Sequence, residues 1–245
     1  MSAEQDTAFS EAQYLQIYPD GVEHHFWHRA RGAILLRYVG RYRAEPLLEI
    51  GAGRGLVLAA FRRRGWQAEG VELSITSPRW PDLPIRYGED AFALPQEERA
   101  RYCAVGLFDV LEHLPDRVAF LRELRSRFPA LRYLYLTVPS PPDLWSNYDV
   151  FCGHYLRYDI PTLKEELTLA GYRVLEVRYF FHSLYWVMWA VLRFKGHRSE
   201  AIPAPRGLAK LWHRGLGSFF VWESALLPPT WRGTSLLAIA QPLFT

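Results

Sequence analysis

Cysteine is scarce in this sequence, with only Cys103 and Cys152 among 245 residues. Two cysteines cannot form the several disulfides that staple small secreted domains, and their separation fits none of the closely spaced metal-binding motifs. We therefore expect a reduced, cytoplasmic protein. Residues 1–6 are polar and lack the apolar segment of a secretion signal, which agrees with this expectation.

Long hydrophobic runs and blocks of like charge are also missing. The most apolar stretch, residues 179–194, is shorter than the roughly 20 residues that a membrane-spanning helix needs. The formal net charge is +3 and the charges are scattered, so we expect no nucleic-acid partner. The one basic triplet, residues 62–64, precedes Gly65 and is expected to form the solvated C-terminal end of a helix.

Core-forming residues, in contrast, are abundant. Hydrophobic residues make up 49% of the sequence and aromatic residues 15%. A chain of this length can bury a sizeable core, and the absence of repeats and low-complexity segments limits expected disorder to the ends. One α/β domain with additions is the simplest interpretation.

Short apolar segments alternate with helical ones from residue 46 onward. Strands are expected at residues 47–50, 67–73, 85–87, 102–108, 131–138, 172–179 and 234–241, and helices at 26–39, 56–64, 116–128 and 161–170. This alternation is typical of an α/β fold with a mostly parallel sheet and helices on both faces. We therefore predict a Rossmann-like, seven-stranded sheet.

The pattern divides the chain into four regions. They are a helical lead-in or lid (1–45), the sheet core (46–179), an apolar helical insert (180–233) and the final strand (234–245). The insert is far longer than an ordinary connection. We expect it to form a cap, and its apolar surface is compatible with a buried helix, a homodimer interface or peripheral contact with a membrane.

Residues 48–55, LEIGAGRG, carry the most functional information. A strand enters a glycine-rich turn that opens a helix, so a ligand can approach the backbone and the unpaired N–H groups of the helix start. A dinucleotide site would have the spacing G-x-G-x-x-G. Here Leu56 occupies the position of its third glycine, and Gly55 comes one residue early.

Glu72 lies at the end of the next strand, about 20 residues past the turn. A carboxylate at this position can accept hydrogen bonds from both hydroxyls of a ribose. The turn and Glu72 together therefore predict a cofactor whose ribose hydroxyls are both free.

The spacing E-x-G-x-G-x-G from Glu49 resembles motif I of the class I methyltransferases that depend on S-adenosyl-L-methionine (SAM). Further segments are similar to the small-molecule branch of that family: YGEDAFALP (87–95), LFDVLEHLPD (107–116), LYLTVPS (134–140), HYLRY (154–158) with Gly171-Tyr172, and GTSLL (233–237). The resemblance covers roughly residues 24–241 and is most specific within 46–178.

The resemblance implies a Rossmann-like fold, SAM as cofactor, and methyl transfer to a small or lipid-like acceptor, with O-methylation favoured. It places Asp90 against the adenine amino group, with Ala91 and Phe92 beside the ring. The cofactor-binding residues that it implies are Glu49, Gly51, Ala52, Gly53, Gly55, Glu72, Leu73, Asp90, Ala91, Phe92, Phe108 and Asp109. Asp109 is also expected to shape its turn by accepting backbone N–H groups.

Two other function classes stay open at this point. An NAD(P)-dependent oxidoreductase is disfavoured by Leu56 and by the lack of a second βαβαβ half. A non-catalytic SAM-fold binding protein is disfavoured by the intact set of Glu49, Gly51, Gly53 and Glu72.

His113 and His154 are the catalytic candidates. Because the cofactor already activates the methyl group, the protein has to position the reactants, exclude water and take a proton from a hydroxyl acceptor. An imidazole suits that last task near neutral pH. His113 could instead ligate a metal with Glu112 or support the cofactor, and His154 could simply order its loop; we predict no metal site.

The segment from His24 to His28 contains three histidines beside Phe26 and Trp27. Adjacent histidines on a helix cannot point the same way, which argues against a metal site there. The resemblance to the methyltransferase family implies instead that this segment acts as a lid, with Trp27 or a basic neighbour touching the cofactor.

Overall fold

The computed structural model describes residues 11–243. Residues 1–6, on which the expectation of no secretion signal rests, lie outside the described residues. The strands are β1 (Leu47–Ile50), β2 (Ala68–Glu72), β3 (Ile85–Tyr87), β4 (Ala104–Phe108), β5 (Tyr133–Pro139), β6 (Tyr172–Phe180) and β7 (Ser235–Pro242). The helices are α1 (Glu11–Ile17), α2 (Phe26–Val39), α3 (Leu56–Arg62), α4 (Gln96–Arg99), α5 (Arg117–Arg127), α6 (Asn147–Phe151), α7 (Ile160–Leu169), α8 (His182–Lys195) and α9 (Ala209–Leu226).

The seven strands form one sheet in the order β3-β2-β1-β4-β5-β7-β6. The first five strands run parallel, and β7 pairs antiparallel with both β5 and β6. The predicted Rossmann-like sheet is therefore confirmed. The chain leaves β1 toward one edge and continues from β4 toward the other, which opens a crevice at the carboxyl ends of these two strands.

The predicted strands and helices are all present, with shifted ends. The strand β6 continues through Phe180, one residue into the predicted insert. The apolar stretch of residues 179–194 therefore becomes helical only at His182. The helix α3 ends at Arg62, and the exposed Arg63 and Arg64 lie in the turn that follows. The short helices α1, α4 and α6 were not predicted, because four to seven residues give too little periodicity to recognise.

Apolar side chains cover both faces of the sheet. Along β5, Leu134 and Leu136 pack into one core layer with α5 and α7, whereas Tyr135 packs into the other with α2 and α3. Successive side chains of a strand point to opposite faces, so one strand supplies both layers. The sheet is thereby enclosed, and its carboxyl-end crevice is left for a site.

The insert is anchored to the core through α9. Phe220 lies in contact with Phe26 of α2, at a ring-centroid distance of 5.5 Å, and with Phe181, at 5.2 Å. The Tyr38 hydroxyl donates a hydrogen bond of 2.7 Å to the carbonyl oxygen of Ser224. None of the helices formed by residues 11–243 combines the length and apolar character that crossing a bilayer requires.

Glu223 of α9 holds the start of α8. Its carboxylate accepts hydrogen bonds from the backbone N–H groups of His182 (2.9 Å) and Ser183 (2.7 Å), and from the Ser183 hydroxyl. Glu223 is 4% exposed. A negative charge at a helix N-terminus satisfies N–H groups that have no partner within the helix.

We expect Glu223→Ala to lower the free energy of unfolding by about 2–3 kcal/mol, because it leaves the buried N–H of His182 and the partly buried N–H of Ser183 without an acceptor. Urea denaturation measures this loss. The control Ser218→Ala on the exposed side of the same helix should change the value by less than about 0.5 kcal/mol. Equal effects of the two substitutions would contradict the role of Glu223.

Candidate active site

The glycine-rich turn after β1 has the backbone that its sequence predicts. Gly53 and Gly55 have φ angles of +54° and +81°. A Cβ atom at Gly55 would lie 2.5 Å from Leu83 Cδ1, so this position packs against the core. A Cβ atom at Gly53 would meet only Tyr14 Cε1, at 3.8 Å. The backbone of Gly53 is therefore the part of the turn that a ligand can approach closely.

Glu72 connects the end of β2 to this turn. Its Oε2 accepts a hydrogen bond from the Gly53 N–H at 2.8 Å, and its Oε1 accepts one from the Ser74 N–H at 2.9 Å. The residue is 7% exposed and lines the cavity described below. Each carboxylate oxygen has a second lone pair that can accept a further hydrogen bond.

Glu49 lies behind the turn and does not line the cavity. Its Oε2 has no hydrogen-bond partner among the described residues. Burial raises the pKa of Glu49 to about 8, although the charge of Arg31 opposes this rise. Glu49 is therefore largely uncharged at neutral pH.

A cavity of about 640 Å³ extends along the carboxyl ends of the strands. The candidate residues that line it are Gly51, Gly53, Glu72, Leu73, Asp90, Ala91, Phe108, Asp109, His113 and His154. Glu49, Ala52, Gly55 and Phe92 do not line it. Phe92 supports its wall from behind, because its ring contacts that of the lining residue Phe120 at 5.1 Å.

The N-terminal segment covers one side of this cavity. Tyr14, Ile17 and Tyr18 line it together with Trp27 and His28. Burial, followed by the charge of Glu72, raises the pKa of the Tyr14 phenol. The contribution of α1 to the cavity wall was not predicted from the sequence. The one sequence signal for this contribution was the spacing of Tyr14, Ile17 and Tyr18, which puts them on one helical face.

The insert covers the other side. Leu184, Met188 and Val191 of α8 line the cavity at intervals that put them on one helical face, and Lys195 follows at the end of the helix. Arg198 in the next loop also lines it, with its guanidinium 4.1 Å from the ring of Tyr148. This wall is apolar near the sheet and positively charged farther along.

Asp109 has a positive φ of +62° just after β4. Its carboxylate was expected to bind backbone amides, but in the structure it pairs with Arg31 of α2 at 2.7 Å. The same Arg31 nitrogen donates a hydrogen bond of 3.1 Å to Thr137 Oγ1 on β5. This pair joins the lead-in helix to the sheet at the edge of the cavity.

Glu112, His113 and His154 converge at the next part of the cavity. One donor atom of each lies within 4.8 Å of the others. Glu112 is 0% exposed, and neither of its carboxylate oxygens has a hydrogen-bond partner among the described residues. Burial, followed by the charge of Asp109, raises the pKa of Glu112, whereas burial lowers the pKa of His113 to about 3.

Asp149 fixes the orientation of His154. Its Oδ1 lies 2.8 Å from Nδ1 of His154 and 2.7 Å from Nε of Arg157. Burial alone would raise the pKa of Asp149, but the hydrogen bond from His154 and the charge of Arg157 outweigh it and lower the pKa to about 2. Because the carboxylate is ionised, the proton of the shared hydrogen bond is on Nδ1, and Nε2 is the ring nitrogen that Asp149 does not engage.

The histidines of the lead-in segment have separate roles. Nδ1 of His25 accepts a hydrogen bond from the Trp27 N–H at 3.3 Å and caps α2. His24 lies outside the cavity, beside Glu23. Trp27 is held between other groups, with the Arg31 guanidinium 5.0 Å from its ring and Phe181 stacked at 5.9 Å.

We expect Asp149→Asn to cost at least about 2 kcal/mol of unfolding free energy at pH 7, since the folded pKa lies nearly two units below its ordinary value. A carboxylate whose pKa is lower in the folded state than in the unfolded state stabilises the fold at pH values above its unfolded pKa, which is near 3.8 for Asp149. This stabilisation is lost as the pH falls toward 2. The difference between wild type and variant should therefore narrow below pH 4 in urea titrations.

The control Asp116→Asn replaces the carboxylate that caps α5. Asparagine caps a helix about as well as aspartate, so this change should cost less than about 0.5 kcal/mol at pH 7. If the difference in unfolding free energy between wild type and Asp149→Asn stayed constant down to about pH 3, this would argue against an ionised Asp149 paired with His154 and Arg157.

Comparison with known proteins identifies the family. The family model of the methyltransferase domain matches residues 24–177, which is more than half of the chain. A ubiquinone biosynthesis O-methyltransferase of Leptothrix cholodnii is 30% identical over 93 residues, covering 34% of this chain and 40% of that protein. The matched segment thus spans less than half of that relative.

Solved structures share the fold. A SAM-dependent methyltransferase from Archaeoglobus fulgidus superposes with a TM-score of 0.53 at 18% identity, covering 87% of this chain and 94% of that chain. The 1,6-didemethyltoxoflavin N1-methyltransferase of Burkholderia thailandensis, solved with S-adenosylhomocysteine, gives a TM-score of 0.52 at 18% identity over 93% of this chain and 81% of that chain.

The family match decides against the NAD(P)-dependent oxidoreductase and the non-catalytic binding protein. Three features of the structure agree with this family match: the strand order, the glycine turn, and the position of Glu72 at the carboxyl end of β2. The chain belongs to the methyltransferase domain family and is a class I methyltransferase whose cofactor is SAM.

Proposed function

We propose that this methyltransferase transfers the methyl group of SAM to an oxygen atom of a small, amphiphilic or lipid-like acceptor. The observation that carries the proposal is the continuity of one cavity of about 640 Å³, which joins the turn and Glu72 to the apolar face of α8. A single space of this size can hold the cofactor and bring an acceptor against it.

The residues at the turn fit the cofactor. The carboxylate of Glu72, to which the Tyr14 side chain also hydrogen-bonds, has oxygens that can accept hydrogen bonds from two ribose hydroxyls, and the open side of Gly53 leaves room for the ligand. Asp90 at the next strand end has one oxygen bound to the Phe92 N–H at 2.9 Å. Its other oxygen is available to an amino group of the adenine. In this arrangement Ala91 and Phe120 flank the base, and Phe92 backs the wall.

SAM supplies a methyl group that is already activated toward a nucleophile. The chain has to hold the two reactants in line and keep water out. Tyr14, Trp27 and the other cavity residues of the N-terminal segment are suited to cover the cofactor, and α8 to cover the acceptor. We therefore assign the lead-in as a lid and the insert as the acceptor-binding cap.

The wall formed by the insert suggests the class of acceptor. Leu184, Met188 and Val191 offer an apolar surface, while Lys195 and Arg198 at its far end form no ion pair within residues 11–243. An acceptor with an apolar body and a polar or negatively charged group would match both parts. Burial lowers the pKa of Arg198, which is the direction expected for a cation that lacks a close anion.

His113 and His154 are the residues proposed to face the reacting hydroxyl. Both line the cavity, and the pairing of Nδ1 with Asp149 leaves Nε2 as the nitrogen of His154 that can bind a proton or a cation. The name of the Leptothrix relative, an O-methyltransferase, supports oxygen as the acceptor atom.

The outer surface of the insert supports contact with a membrane. Five of its tryptophans are at least 42% exposed, namely Trp186 and Trp189 on α8, Trp212 and Trp222 on α9, and Trp231 after α9. Basic residues lie on the same helices, at Arg193, Lys195, Lys210 and Arg214. Exposed aromatic rings beside positive charges favour binding to an anionic lipid surface. The helix α8 thus has one side toward the cavity and another toward solvent.

We expect Glu72→Gln to weaken binding of S-adenosylhomocysteine about 10- to 100-fold, because charge-assisted hydrogen bonds to two hydroxyls are worth roughly 1.5–3 kcal/mol. Calorimetric titration measures the change. The control is Glu69→Gln on the same strand, whose carboxylate binds Arg101 and Tyr102 away from the cavity. An unchanged dissociation constant for Glu72→Gln would refute the ribose contact.

We expect Trp212→Ala combined with Trp222→Ala to lower the fraction of protein that sediments with phosphatidylglycerol-containing vesicles several-fold, since both rings would lose their apolar anchoring. Affinity for S-adenosylhomocysteine should be unaffected, and Trp80→Ala, whose ring packs against Arg63 outside the insert, should bind vesicles like wild type. A dimer that becomes monomeric in the double variant, without any vesicle binding, would assign these tryptophans to a subunit interface instead.

A further inference from the structure

We propose that Glu112, His113 and His154 form a binding site for a divalent transition-metal cation on the acceptor side of the cavity. The sequence alone predicts no metal site; it offers Glu112 with His113 as possible ligands but does not connect them with His154, which follows β5 and α6. The fold brings one donor atom of each residue within 4.8 Å of the others. Within the described part of the chain, no other group of three such residues meets this condition.

The carboxylate of Glu112 is the first argument for the site. The residue is 0% exposed, and both of its oxygens lack a hydrogen-bond partner among residues 11–243. A buried carboxyl group without partners costs several kcal/mol unless something compensates it. A cation between the carboxylate and the two imidazoles would supply that compensation.

The second argument comes from the groups behind the two imidazoles. Nδ1 of His154 donates a hydrogen bond to Asp149 at 2.8 Å, and the ring of His113 hydrogen-bonds to the backbone of Cys152. Metal-binding histidines characteristically donate their second N–H to a carboxylate or a backbone carbonyl, which fixes the tautomer and the ring orientation. Both rings here have such a partner.

The surrounding charges also permit a cation. Arg157 is paired with Asp149 at 2.7 Å, and Arg31 with Asp109 at 2.7 Å, so both nearby guanidinium groups are compensated. The carboxylate of Glu112 remains without a counter-charge. A divalent ion bound to this carboxylate and two neutral imidazoles would have a net charge of one positive unit. An ionised hydroxyl of the acceptor would neutralise that charge.

The donor set indicates which cations fit. Two imidazoles and one carboxylate suit Zn²⁺, Fe²⁺, Co²⁺ or Ni²⁺, whereas Mg²⁺ prefers oxygen ligands alone. Metal–ligand bonds of about 2.0–2.2 Å require the donor atoms to close in by about 1 Å when the ion binds. Three protein ligands leave at least one position open for an oxygen of the acceptor.

A role in catalysis follows, and it rests on the proposed function. A hydroxyl bound to the cation loses its proton to solvent more readily. The acceptor oxygen then forms a bond to the methyl carbon while the carbon–sulfur bond breaks and its electron pair stays on sulfur. The products are the methyl ether and S-adenosylhomocysteine, so no oxidant or reductant is needed.

Titration of chelator-treated full-length protein with Co²⁺ tests the site without any acceptor. We expect visible d–d absorption bands with 1:1 stoichiometry and competition by Zn²⁺. Glu112→Gln and His154→Gln should each weaken binding at least about 100-fold, and Asp149→Asn about 10- to 100-fold through the orientation of His154. The control His24→Ala, whose imidazole lies outside the cavity, should bind Co²⁺ like wild type.

Binding of S-adenosylhomocysteine by each variant provides the check on folding, because Glu72 and the glycine turn are separate from the cluster. A wild-type protein that binds S-adenosylhomocysteine but gives no cobalt spectrum would overturn the site. The same conclusion would follow if Glu112→Gln and His154→Gln left the spectrum intact. A nitrogen acceptor would instead contradict the proposed O-methylation and leave the cobalt result unaffected.

Discussion

Two parallel strands, β1 and β4, lie side by side, and the chain leaves them toward opposite edges of the sheet. No connection therefore crosses their carboxyl ends, and a crevice must remain there. The glycine turn follows β1 and Asp109 follows β4, so both are delivered to this crevice by topology alone. The N-terminal segment and the insert then cover it from two sides, which turns an open crevice into a cavity of about 640 Å³.

Ionised side chains with buried partners hold several elements in place around the crevice. Arg31 of α2 reaches Asp109, Glu223 of α9 accepts from the first residues of α8, and Asp149 joins His154 to Arg157. Arg31–Asp109 and Arg157–Asp149 are charge pairs that are at least partly buried, so removing one partner leaves the other uncompensated in an environment of low dielectric constant. Glu112 differs from these groups, because its buried carboxylate has no such partner among the described residues.

The helix α8 connects the chemistry of the site with the surface of the protein. Its residues Leu184, Met188 and Val191 face the cavity, while Trp186 and Trp189 are exposed. An apolar acceptor drawn from a lipid surface would therefore have to pass only one helix to reach the cofactor. The helix α8 therefore carries apolar side chains on its cavity side and aromatic ones on its exposed side, and no helix within residues 11–243 has the length and apolar character needed to cross a membrane.

The sequence by itself determined the sheet, the turn and the position of Glu72, because each depends on local pattern: apolar strands, glycine spacing and a carboxylate at a strand end. It could not tell that Glu49 lies behind the turn, since all four residues of β1 are buried and their alternation gives no direction. Only the tertiary structure decided that His113 meets His154 and that Asp149 orients it. The contact between the two histidines joins segments on either side of β5, and its distance in space is set by the packing of the sheet rather than by spacing along the chain. Asp149 comes only five residues before His154, and their contact depends on the turn that follows α6.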